Sequence, residues 1–189
     1  MTTIRDLFGG AIVSHIPPTF IDVSDIREIA DNQEVFADVN SDESIVIEIL
    51  QYVNEPSNED AVRYHFASLA HDNDAEDFNT IQQITELTAL EVPKLPSDTP
   101  KYLLVGQQQI SKFDERDPSA RNLVTILMAL FRFPNIQTDI VITCNIPVIL
   151  GATSSSRLVT QEGDVNEGYE EFRKILTSFD IKDWGLFNA

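Results

Sequence analysis

Residues 22–34, DVSDIREIADNQE, place a carboxylate at every third position: Asp22, Asp25, Glu28, Asp31 and Glu34. Arg27 is the one base among them. Closely set acids suit two chemistries. General acid–base or metal work needs a cleft that shifts pKa values, and this short segment supplies none visibly. Electrostatic docking of a cationic partner needs only a shared surface. A solvated acidic rim that meets no partner fits the same pattern.

The spacing constrains what must position these groups. On a continuous α-helix a three-residue step advances about 300°, so the acids would wander around the cylinder. On a continuous strand they would alternate faces. A patch therefore requires a short helical piece, a turn at residues 30–33 and then a strand. That arrangement brings Asp31 and an outward Glu34 to one edge, with Glu28 and Asp22 nearby.

The whole chain of 189 residues carries a formal net charge of −18. Residues 1–91 hold 19 acids against 3 bases, and residues 92–189 hold 12 against 10. Such a field attracts basic surfaces and argues against a nucleic-acid partner, which requires clustered Lys and Arg. The length fits one domain with its own core. The longest apolar run, residues 123–131, falls well short of the ~20 a bilayer span requires, and the N-terminus has no signal-like apolar core. A soluble, intracellular protein with no membrane partner is the expectation. The one cysteine, Cys144, excludes an internal disulfide, and its place beside Ile140, Ile142 and Ile146 on one strand face predicts a buried, inert thiol.

Other chemistry is sparse. DNDAED begins like an EF-hand with Asp72, Asp74 and Glu76, but Asp77 stands where the turn needs Gly and Gln83 where a bidentate Glu is required. His15, His65 and His71 have no metal-ligand spacing, and His65, between Tyr64 and Phe66, reads as a packing or hydrogen-bonding residue. No phosphate-loop, dinucleotide or nucleophile-elbow motif occurs. GATSSSRL, residues 151–158, reads as a mobile surface loop. Neither a cofactor, a metal nor a catalytic residue is expected.

The elements follow from periodicity. LFGGAIVSH reads as a strand entered through two glycines and stopped by Pro17-Pro18. FIDVSDIREI gives one or two helical turns capped by Asp22 or Ser24, with Ile26 and Ile29 turned inward. QEVFADV alternates as a strand, with Glu34, Phe36 and Asp38 on one face, and SIVIEILQYV follows as another. Ser57 opens a helix with core stripe Val62, Phe66 and Leu69. Four extended segments then run through TIQQITELTAL, KYLLVGQQQISKF, NLVTILMALFRF and DIVITCNIPV. NEGYEEFRKILTSF is an amphipathic helix with Tyr169, Phe172, Leu176 and Phe179 inward and Glu170, Glu171, Arg173 and Lys174 to solvent. Runs of strands with few helices give an α+β fold, a central antiparallel sheet flanked by helices.

In order along the chain, LFGGAI, PPTFIDVSDIREIADNQEVF, ESIVIEIL, RYHF, GQQQISK and QTDIVITCNIPV resemble the Mog family of Ran guanine-nucleotide release factors. The likeness weakens at HDNDAED and over 151–165. It implies a PsbP-like fold, residues 1–189 as a single Ran-binding nucleotide-release domain, and a protein that is not an enzyme. The implied partner is the small nuclear GTPase Ran, alongside other Ran-binding proteins, in nucleocytoplasmic transport, with a nuclear location and the cytoplasm as a second compartment. Asp31 and Glu34 match the family's Ran-binding acids, with Asp22, Arg27, Glu28 and Gln33 in the same motif. Where the family usually has proline this chain has Ala30, which implies a less rigid turn. The alternative is an acidic adaptor that holds a basic partner without affecting its nucleotide. A metal-dependent hydrolase is a third reading.

Overall fold

The computed structural model describes residues 3–111, 117–158 and 160–188. The strands are β1 (Ile4–Leu7), β2 (Ile12–His15), β3 (Phe20–Asp22), β4 (Gln33–Asp38), β5 (Ser44–Gln51), β6 (Asn79–Glu86), β7 (Lys101–Ile110), β8 (Asn122–Phe133), β9 (Thr138–Ile149) and β10 (Asp180–Ile181). The helices are α1 (Asn58–Asp72) and α2 (Val165–Ser178). Seven strands form an antiparallel sheet in the order β3-β4-β5-β9-β8-β7-β6, and β1-β2-β10 form a smaller sheet. This is the α+β architecture that the sequence predicts. The last two residues of the expected KYLLVGQQQISKF strand, 112 and 113, lie outside the described residues.

Alternation along β8 explains its nearly unbroken apolar sequence. Val124, Ile126, Met128 and Leu130 face α1, where they pack with Val62 and Phe66. Leu127, Ala129, Phe131 and Phe133 face the opposite way, into a larger core with Phe172, Ile175 and Leu176 of α2. Both faces of the central strands are therefore dry. β2 lies over the second face beside α2, so the small sheet and α2 together cover the same side. Cys144, Ile140, Ile142 and Ile146 lie in that core together, as their spacing predicts.

Caps set the helix starts. Ser57 Oγ accepts the Asp60 N–H at 3.1 Å, and Asp164 Oδ1 accepts the Asn166 N–H at 2.8 Å. Of the expected α2 stripe, Phe172, Leu176 and Phe179 are buried but Tyr169 is 36% exposed at its rim.

Several expectations change. FIDVSDIREI forms β3 and a single 3₁₀ turn over Val23–Asp25, and Ile26 is 70% exposed rather than inward. The backbone of Phe20–Asp22 is committed to pairing with β4, which leaves too few residues for a helix. GATSSSRL keeps Ala152, Thr153, Ser155 and Arg157 at the surface but is anchored beneath it: Gly151, Ser154 and Ser156 are buried, with Gly151 against Ser119 and Ala120, where an added Cβ would lie 2.6 Å from the Ala120 backbone. Glu171, expected in solvent, turns back to His15 at 2.7 Å. At four residues, β1 is too short for its pattern to show in the sequence.

Candidate functional site

The acid-rich segment forms the edge of the large sheet and the loop that leads into β4. Asp22 ends β3, and its Oδ1 accepts both the Ser24 N–H at 2.8 Å and the Ser24 hydroxyl at 2.6 Å. That bond starts the 3₁₀ turn, where the Ile26 and Arg27 N–H groups donate to Val23 O at 3.0 Å each. The chain then reaches a β-turn at residues 30–33, closed by Gln33 N–H donating to Ala30 O at 2.9 Å. This is the turn that the sequence places there. It is pinned to β5 through Asn32: its carbonyl accepts the Ile49 N–H at 2.9 Å, and its side-chain amide donates to Ile49 O at 3.1 Å.

Asp25, Arg27, Glu28 and Asp31 are all exposed, Asp31 at the tip of the turn. Among the described residues no ion pair occupies Asp31 or Arg27. Gln33 points to the other side of the sheet from Glu34, and its amide donates to Glu48 across the β4–β5 pair at 2.6 Å.

Glu34 is not outward. It stands opposite Ile47 on the face that carries Phe36 and Ile45, because a strand that buries Phe36 must turn Glu34 the same way. Half-buried there, its Oε1 accepts the Phe8 N–H from the tip of the β1–β2 hairpin. Burial holds its carboxyl above the usual glutamate range, the Phe8 hydrogen bond opposes this, and the charge of Asp22 adds to it. Arg5 of β1 stands close by, donating from Nη2 to Phe20 O at 2.7 Å with its guanidinium 5.6 Å from the Phe36 ring centroid. The structure thus divides the motif into an exposed rim of Asp25, Glu28 and Asp31 and an inner pair, Asp22 and Glu34, that repel each other at the hairpin tip.

A second acidic locus escapes sequence reading because its residues are far apart in the chain. A cavity of about 450 Å³ is lined by Asp38 and Glu43 on one side and Glu162, Asp164, Glu167 and Glu171 on the other. Burial, then Asp38, Glu167 and Asp164, push Glu43 up to about 7. Among the described residues no group of three His, Cys, Asp or Glu is disposed to hold a metal. Cys144 borders the same cavity, but burial pushes its thiol pKa far up, away from the nucleophilic thiolate. His65 is buried and hydrogen-bonds Asp139 at 2.9 Å, the packing and hydrogen-bonding role expected of it. What the arrangement offers is charge at an exposed edge, suited to recognition of a basic surface.

A family model described as Ran-interacting Mog1 protein matches residues 5–147. The chain is 40% identical over 188 residues to a protein of Dictyostelium discoideum named "Probable ran guanine nucleotide release factor", covering 97% of this chain and 95% of that one. It is 37% identical to the Ran guanine nucleotide release factor of Danio rerio, covering 97% and 98%. The crystal structure of the Saccharomyces cerevisiae Ran-binding protein Mog1p superposes with a TM-score of 0.73 at 24% identity, covering 99% of this chain and 100% of that one, which shows a shared fold.

Proposed function

The chain belongs to the Ran-interacting Mog1 family, and on that premise we propose that it binds the GTPase Ran through the acidic β3–β4 edge and promotes release of Ran's guanine nucleotide. Relatives named Ran guanine nucleotide release factor match along 97% of the chain, which supports residues 1–189 working as one Ran-binding unit. A relative named Nuclear import protein mog1, from Schizosaccharomyces pombe, supports a place in nuclear transport and a nuclear location. The observation that carries the docking face is Asp31, exposed on a turn that is fixed by three backbone-anchored hydrogen bonds.

Release needs no catalytic group. A protein that binds emptied Ran more tightly than loaded Ran weakens nucleotide binding by the same factor, and ~3 kcal/mol of coupling corresponds to on the order of 150-fold. Asp31, Glu28 and Asp25 supply long-range attraction, Asp22 and Glu34 an inner acidic pair, and Arg27 and Gln33 flank them. The assay is release of a fluorescent guanine nucleotide from purified Ran. Acceleration by this protein is the expected result. Binding without acceleration would make it an adaptor.

A further inference from the structure

Phe8 has φ +49°, Gly9 +66° and Gly10 +91°, three consecutive residues on the left-handed side of backbone space. For a bulky aromatic residue that is an outlier, and such outliers persist only where the surroundings over-determine them. Here they do. The Leu7↔Ile12 pair closes the hairpin below the turn, the Phe8 side chain packs on the core, and Ala11 O accepts the Lys182 and Asp183 N–H groups at 2.8 and 3.0 Å. The outcome of this geometry is that one N–H, from Phe8, meets Glu34 Oε1 across 26 residues of sequence. Among the described residues nothing hydrogen-bonds Glu34 Oε2.

We propose that the Phe8–Gly9–Gly10 turn is a positioning element of the Ran-docking face, holding Glu34 by one carboxylate oxygen so that the other is presented to a basic group of the partner. This rests on the docking reading above. A pre-set carboxylate loses no side-chain freedom on binding, which is where positioning gains affinity. Asp6, Asp22 and Arg5 stand beside the turn, with Lys182 and Asp183 meeting it through their N–H bonds to Ala11 O, so the turn brings β1 into a surface otherwise built from residues 22–34.

Gly9 separates conformation from bulk, because a Cβ there would meet nothing within 4 Å. Gly9→Asn, whose side chain tolerates the left-handed region, is compared with Gly9→Val, whose branched side chain does not. The readouts are the affinity for nucleotide-free Ran and, without Ran, the pH titration of the Phe8 amide resonance. Wild type and Gly9→Asn are expected to show a titration step in the Phe8 amide that Glu34→Gln abolishes, and to bind Ran within about twofold of each other. Gly9→Val should lose that step and bind about tenfold more weakly. Equal Ran affinity for Gly9→Val and Gly9→Asn, or no Glu34-dependent step at Phe8, overturns the proposal. If Gly9→Val fails to fold, the Phe8 step and a loss of Ran affinity in Glu34→Gln decide it. Should wild type ignore Ran while the Phe8 step persists, the docking reading itself has failed and the positioning role falls with it.

Discussion

Arg132 and Asp139 face each other across the β8–β9 pair with Arg132 Nε 3.0 Å from Asp139 Oδ1, one side chain 1% exposed and the other not at all. Two buried charges in this setting survive because each finds several partners. Asp139 Oδ2 also accepts from the Val53 N–H at 3.2 Å and lies 2.9 Å from His65 Nε2. Arg132 donates to Asn58 Oδ1 at 2.9 Å and to Val53 O, and lies over the Tyr52 ring at 4.0 Å. The network ties α1 and the strand-to-helix connection to the centre of the sheet.

Asp139→Ala should therefore destabilise the fold by about 3–5 kcal/mol, since it strands a buried guanidinium. Replacing both members by apolar residues, Arg132→Met with Asp139→Leu, should recover only part of that loss, because Val53, His65 and Asn58 lose their partners. Urea unfolding monitored by circular dichroism measures both.

Glu43 gives a pH signature. Its carboxyl titrates near 7 in the folded chain against an ordinary value of 4.5, so over that interval the folded state holds a proton that the unfolded state has released. Stability from this group falls as pH rises from about 4.5 to 7 and stays lowered above. Glu43→Gln should remove that slope and raise stability at pH 8 by roughly 1 kcal/mol, discounted for its partial exposure. Thermal unfolding of both proteins at pH 5 and pH 8 tests the sign.

Gly106 of β7 is a packing requirement. A Cβ there would stand 2.7 Å from Phe66 Cζ and 2.9 Å from Thr80 O. Gly106→Ala should cost about 1–3 kcal/mol by prising α1 from the sheet, and Phe66→Leu in the same chain should restore part of it. Differential scanning calorimetry reports the change.

Much of this is legible in the sequence, for reasons that particular residues make plain. Period-two spacing locates β4, β5 and β9, and the Ser57 cap locates α1, because these signals are local. The turn at residues 30–33 is legible as a requirement of bringing the acids together. What sequence does not supply is contact across distance. Glu34 reads as outward because alternation alone does not say which face is buried. The burial of Phe36 decides it, and Phe8 supplies the partner from 26 residues away. Ile26 reads as inward only if a helix forms where β3 in fact pairs with β4. The Glu43 cavity joins β5 to α2 across more than a hundred residues and has no motif at all.

Association with Ran should weaken with salt. Asp25, Glu28 and Asp31 are exposed, so their attraction is screened as the Debye length contracts to about 8 Å at 0.15 M and about 3 Å at 1 M. Stopped-flow association rates should fall across that range, whereas dissociation rates should change little.

In the proposed complex the exposed carboxylate on the turn at residues 30–33 meets a basic surface of emptied Ran. Titrating nucleotide-free Ran with wild type and with Asp31→Lys, whose side chain stands in solvent and disturbs no internal bond, tests it most directly. Asp31→Lys should bind at least about tenfold more weakly with the folded spectrum unchanged. Equal affinity for the two proteins would contradict it.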